Sequence, residues 1–344
     1  SLADSVTSVS GDILVDAGLD LTQAAAITST SGDVGLIAVG SLDQASDGDV
    51  TTGGDVLLES GVDWMMAGDT VVTAGGNVVG QALGGDIELG VIRGTNVALM
   101  ASDNILDANA GSLNVTADNL SLRADNGLIG NHDNASLTPD LNINAIDLDV
   151  AVLAAHSDSG IYLSEADGLT VTSVSEVVVD IESLVRVNFN STTDDVSVDR
   201  NAAVLEDLRT TTDGPIKLVS ESGVLTIEGG SDAQGLSAAG SGDVLLEARG
   251  ADGDLIINAD VVSDTGNITL DAGNDLALNA SVTTGGLGSV YLVAVNDMTL
   301  ADSVTSVSGD ILVDVLHDYD QTGRIHSVAG DVGLVTGNHL VQGA

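Results

Sequence analysis

Six aspartates fall at a spacing that could do chemistry. Asp12, Asp33 and Asp55 each follow a glycine, 21 and 22 residues apart, and Asp243, Asp310 and Asp331 hold the same place in the same motif near the other end. Carboxylates recurring at one corner of a coil offer oxygen ligands of the kind Ca²⁺ takes. Stacked about 4.8 Å apart they would also repel, and a bridging cation or high salt would relieve that. The competing role for Asp is turn punctuation, because its side chain bonds the backbone of tight turns. Ca²⁺ is therefore the one cofactor the residues suggest, with Asp12, Asp33, Asp55, Asp243, Asp310 and Asp331 as its candidate ligands, and nothing in the pattern requires a cofactor. Two glycine-rich stretches, GGDIELGVI at Gly84 and GGSDAQGLS at Gly229, lack the middle glycine of the calcium-binding nonapeptide.

Other chemistries find little support. The chain carries 52 acidic residues against eight Lys and Arg, a net charge of −44. A phosphate backbone needs a basic surface, so nucleic acid is excluded as a partner. With no cysteine there is no thiolate site and no disulfide. His132, His156, His317, His326 and His339 show no metalloprotease spacing. His317 and His326 stand where Leu19 and Thr28 stand 298 residues earlier, which reads as surface variation. Glycoside hydrolysis needs two carboxylates at a defined separation. Among so many acids, pairs such as Asp194 and Asp195 arise trivially. The single tryptophan, Trp64, and the single lysine, Lys217, make no sugar-binding platform. The expectation is a protein that is not an enzyme.

The elements that must position these residues follow from a repeat. GDILVDA at Gly11, GDVGLIA at Gly32, GDVLLES at Gly54 and GNVVGQA at Gly76 recur every 21 to 22 residues. GDVLLEA at Gly242, GNITLDA at Gly266, GSVYLVA at Gly288, GDILVDV at Gly309 and GDVGLVT at Gly330 continue the series. Each is followed by two shorter runs that alternate apolar and polar residues, the mark of strands with one buried face. Three short strands and three turns per period describe an all-β, parallel β-helix solenoid of about 21–22 residues per coil and about sixteen coils. Aromatic residues make up only 1% of the chain, which suits a narrow lumen of stacked Val, Leu, Ile and Ala. The 42 glycines suggest many corners with positive φ.

A longer repeat overlies the short one. LADSVTSVSGDILVD, Leu2 to Asp16, returns verbatim from Leu300 to Asp314. Residues 2–299 then form one 298-residue unit, and 300–344 open the next copy of it. The expectation is one continuous shaft over 1–344, with irregular coils at 131–215, where the Gly-Asp mark is lost but strand alternation persists.

The segments GDILVDAGLDLTQAAAITSTSGDVGLIAVG and GNITLDAGNDLALNASVTTGGLGSVYLVAVNDMTL resemble the repeats of filamentous-haemagglutinin-like bacterial adhesins. That resemblance implies a right-handed β-helix shaft in a secreted or cell-surface fibre used in adhesion, aggregation or biofilm. Its partners would be like subunits or adjacent repeats stacked end to end, and glycans or proteins of host or neighbouring cells. No apolar run approaches the ~20 residues of a membrane helix, so the chain is not expected to span a membrane. The alternative is a carbohydrate-binding or carbohydrate-active β-helix with its site in 131–215, where Tyr162, Arg186, Phe189 and Arg200 supply a few aromatic and basic groups.

Overall fold

The computed structural model describes residues 1–132, 144–187 and 192–343. The loop at Asn131 to Asp140, from residue 133 on, and Phe189 lie outside them, as does the side chain of Arg186. The described residues form a parallel β-solenoid with no helix, of about 14 turns at about 22 residues per coil. Contacts divide the chain into two compact units, Ser1–Asp125 with Ser175–Val204, and Asn126–Val174 with Leu205–Ala344.

In the first unit each coil lays down three strands, and each strand pairs in parallel with its counterpart one coil later. Val6–Ser8, Ile27–Ser29 and Val50–Thr52 stack in one column, with Val6 opposite Ile27 and Ile27 opposite Val50. Ile13–Ala17, Val34–Ala38, Val56–Ser60, Val78–Ala82 and Asn96–Ala101 form the second column in unbroken register. Leu21–Gln23, Leu42–Gln44 and Trp64–Met66 begin the third. Alternation puts Leu36, Leu42, Val50 and Leu58 into the lumen with no solvent exposure. Each rung meets an aliphatic rung above and below, so burial is repeated at every coil.

Trp64 enters this narrow lumen because a polar ladder prepares its place. Gln44 Nε2 donates to Gln23 Oε1 (2.9 Å), and Trp64 Nε1 donates to Gln44 Oε1 (2.8 Å). Without those bonds the buried amides would stay desolvated and unpaired.

The second unit repeats the plan. Ile216–Ser220, Val244–Ala248, Ile268–Ala272, Val290–Ala294, Ile311–Val315 and Val332–Thr336 pair in parallel and in register.

The expected sixteen coils become about 14 because the strands at 177–187 and 193–202 do not coil. Val177–Val187 and Thr193–Ala202 pair with each other as an antiparallel hairpin, with Ile181 opposite Val198 and Val179 opposite Arg200. Alternation persists there because a hairpin with one apolar face has the same two-residue period as a coil strand.

The corner glycines answer to close approach rather than to φ. None of Gly32, Gly242, Gly266, Gly288, Gly309 and Gly330 has positive φ. A Cβ at Gly266 would lie 2.2 Å from the Gly242 carbonyl oxygen, and one at Gly309 would lie 2.1 Å from that of Gly288. Backbone stacks on backbone at this corner, and any side chain would push the coils apart.

Candidate functional site

The Gly-Asp corner is a hydrogen-bonded ladder running from coil to coil. Asp12 Oδ1 accepts the Asp33 N–H (2.8 Å), Asp33 Oδ1 the Asp55 N–H (2.7 Å), and Asp55 Oδ1 the Asn77 N–H (2.7 Å). In the second unit Asp243 Oδ1 takes the Asn267 N–H (2.7 Å), and Asp310 Oδ1 takes the Asp331 N–H (2.8 Å). The structure therefore stacks Asp12, Asp33 and Asp55 in one unit, and Asp243, Asp310 and Asp331 along the matching corner of the other. Each bonded oxygen satisfies an N–H that the turn would leave without a strand partner. Ca²⁺ at this corner would share the carboxylates with the backbone.

A hydroxyl completes the corner. Ser263 Oγ accepts the Gly266 N–H (2.9 Å) and donates to the Gly242 carbonyl (2.8 Å). Ser306 does the same for Gly309 and Gly288, and Ser327 for Gly330 and Gly309. The signal is legible as Ser-x-x-Gly before the Asp, although the glycine and aspartate draw the eye first.

The histidines do not gather. His317 Nδ1 lies 2.6 Å from Asn296 Oδ1, and His339 Nδ1 lies 3.0 Å from Asp318 Oδ1, both on the surface. The bond from His339 holds the Asp318 carboxyl below its ordinary range. His132 stacks edge-on against Tyr162, with ring centroids 5.9 Å apart.

Two acidic groupings within 144–215 have more unusual surroundings. Glu165 ends the strand Gly160–Glu165 and has no solvent exposure. Both of its carboxylate oxygens take the Val150 N–H, at 3.2 and 3.3 Å. Asp149 and Asp167 bring carboxylate oxygens to within 4.8 Å of it. Burial pushes the Glu165 carboxyl up to about 8, helped by the charge on Asp167, and the Val150 N–H opposes this. The sequence signal is the alternation of GIYLSE, which puts Glu165 on the inward face with Ile161 and Leu163. Its register partner in the next coil is Ser220.

Asp207 is the other case. It is 8% exposed, and its φ of 69° is a left-handed conformation that costs a non-glycine residue free energy. Burial, with the charges of Glu206 and Asp232, raises its carboxyl to about 6. Beside it, His156 Nε2 lies 2.7 Å from the Glu206 carbonyl oxygen, and the Glu206 carboxylate takes both the N–H and the hydroxyl of Ser231. No pattern in the sequence marks this position.

The hairpin lies on the outward face of the second strand column of the first unit. Val177, Val179, Ile181 and Ala202 pack on Leu57, Val79 and Ala98, with Leu14, Ile37, Met100 and Val198 at the margin. Arg200 then grips Glu59 with two hydrogen bonds, Nε to Oε2 and one terminal nitrogen to Oε1, the latter at 2.9 Å. Arg200, one of the basic groups weighed for a glycan site, is thus engaged within the first unit. No known family, no curated protein and no solved structure matches the chain, which stands as a parallel β-solenoid on its own geometry.

Proposed function

We propose that the chain is a non-enzymatic structural segment of a secreted or cell-surface fibre, serving adhesion, aggregation or a biofilm sheath. The observation that carries this reading is how the polar side chains are used. Asp, Asn and Ser at successive coils bond one another's backbone in ladders, from Asp12 to Asn77 and from Asp243 to Asp331. Such ladders tie each coil to the next and suit a load-bearing element better than a cleft. Like subunits or neighbouring copies of the 298-residue unit are the natural end-to-end partners, since the unit's opening phrase returns at Leu300 and the coils there continue the same parallel register. Ca²⁺ along the aspartate corners would offset the repulsion of so acidic a surface.

Fibre diffraction and electron microscopy of the full chain test this reading. A meridional spacing of about 4.8 Å along extended particles is expected. Compact, uniform particles that neither elongate nor associate would overturn it.

A second reading, a carbohydrate-binding solenoid, is favoured by one observation: Glu165 and Asp207, both with raised carboxyls, fall within the stretch without the regular corner motif. Glycan binding lost in both Glu165→Gln and Asp207→Asn would support it. Binding to no glycan, or binding indifferent to both substitutions, would remove it.

A further inference from the structure

The outward column that carries Glu59 runs on past the hairpin and changes character. In register it reads Asp16, Ile37, Glu59, Gln81, Met100 and Arg123. The hairpin covers the early coils of this face. Ile181 fills the pit left by Gly35, where a Cβ would stand 2.3 Å from the Ile181 Cδ1, and Arg200 takes Glu59. At Met100, on the margin of the hairpin, the face opens into a cleft of about 190 Å³. Gln81, Met100, Arg123 and Asp125 line it, all of them in the first unit.

Gln81 is the residue whose chemistry the coil leaves unused. It is 9% exposed, yet neither its Oε1 nor its Nε2 has a hydrogen-bond partner among the described residues. On one side Glu59 gives both carboxylate oxygens to Arg200, and on the other stands Met100. The buried Gln44 amide, by contrast, is bonded at both its nitrogen and its oxygen. An unpaired amide at such depth is costly, and an apolar side chain would serve the packing better. This amide borders the cleft.

The other end of the cleft is charged. Arg123 Nε donates to Asp125 Oδ1 (2.6 Å), while its two terminal nitrogens bond no protein group among the described residues. Those nitrogens form the fork that a carboxylate fits. Asp125 Oδ2 is equally unengaged among the described residues, and both side chains are about half exposed. A ligand that is only an anion is repelled by a chain of net charge −44. One that brings an ammonium for Asp125 as well as a carboxylate for Arg123 has no net charge and escapes that repulsion. The cleft is below the about 300–1,000 Å³ of pockets for drug-sized ligands, so the ligand is small.

We propose that this cleft binds a free zwitterionic α-amino acid with a side-chain carboxamide, glutamine being the best match. Its carboxylate pairs with the terminal nitrogens of Arg123 and its ammonium with Asp125. Its carbon chain crosses Met100, the rung between Arg123 and Gln81. Its carboxamide meets the Gln81 amide, donor to acceptor and acceptor to donor. Arg123 and Gln81 stand two rungs apart, about 9–10 Å along the backbone stack, which suits a ligand with polar groups at both ends. The site is independent of the fibre reading, since it uses one face of three successive coils.

NMR titration of the chain 1–344 with glutamine, leucine, N-acetylglutamine and a methyl glycoside tests this. Glutamine is expected to saturate with a Kd on the order of 1 mM, and leucine and N-acetylglutamine to bind at least about tenfold more weakly. Gln81→Leu and Arg123→Gln should each weaken glutamine about tenfold or more. The urea midpoint of Gln81→Leu should equal or exceed that of the parent chain, because no internal bond is lost. A lowered midpoint would show the amide to be bonded within the protein and would overturn the proposal. So would the absence of saturable glutamine binding, or binding indifferent to both substitutions. Leucine or N-acetylglutamine binding as tightly as glutamine removes the carboxamide or the ammonium from recognition and overturns it too. A methyl glycoside that saturates and is lost in Gln81→Leu makes this a sugar site instead.

Discussion

Arg200, on the returning strand of the hairpin, holds Glu59 on the sheet beneath it in a two-point ion pair between residues 141 apart in sequence. Glu59 keeps only 9% of its side chain exposed, whereas Arg200 keeps 36%. The carboxylate is therefore the member that suffers if the pair is broken. Arg200→Ala is expected to loosen the hairpin by about 1–3 kcal/mol, less than a fully buried pair would cost because the guanidinium is partly solvated. Removing both charges, as Arg200→Met with Glu59→Leu, should cost less than Arg200→Ala alone. Hydrogen exchange of the hairpin amides measures this, and equal protection in all three chains would contradict it.

Gly35 gives a second way to lift the hairpin. Gly35→Leu would drive a side chain into the space of Ile181, at a cost of about 1–3 kcal/mol. Faster exchange at Val177, Val179 and Ile181 is expected, with the coils below unaffected. Gly333→Leu in the same chain should leave the hairpin amides unchanged.

Glu165 sets a pH dependence whose sign can be worked out. Its carboxyl lies near 4.5 unfolded and is lifted to about 8 folded, so between those values the folded state binds the extra proton. Stability then falls as pH rises from about 4.5 to about 8 and levels above that. Glu165→Gln, which cannot ionise, should lack this loss and be the more stable chain at pH 8.5 by an amount on the order of a few kcal/mol. Urea midpoints at pH 5, 7 and 8.5 decide the matter. Parallel profiles for the two chains would show that burial does not govern Glu165.

The aspartate corner makes a double prediction. Asp33→Ala removes the acceptor of the Asp55 N–H and should cost about 0.5–2 kcal/mol, as losing a side-chain cap does. Added Ca²⁺ should raise the melting temperature beyond a control of matched ionic strength, and EDTA should reverse it. If Ca²⁺ and the control coincide, the aspartates serve the backbone alone.

Much of this molecule is written locally. The period of 21 to 22 residues determines which residue lies above which, as Ile13, Val34 and Val56 show, because a coil's nearest neighbour is the next coil of the same chain. The Gly-Asp mark locates the corner, and its chemistry follows from two facts of the stacked backbone: no room for a Cβ, and an N–H in need of an acceptor. Even the missing aromatics are explained at this level, and the one tryptophan in the lumen has its partner Gln44 a single coil away.

What tertiary structure alone decided are relationships with no period. The alternation of Val177, Val179 and Ile181 reads the same for a coil strand as for a hairpin, and only the antiparallel pairing to 193–202 distinguishes them. The pit at Gly35 is filled from 146 residues away, and the partner of Glu59 is Arg200. Alternation does put Glu165 on an inward face, but its pKa depends on which groups the fold places around it, and Asp149 arrives there on a separate strand. A repeating sequence specifies contacts between equivalent residues, since the same step is taken at every coil. Contacts between unlike segments depend on how the whole chain closes in space.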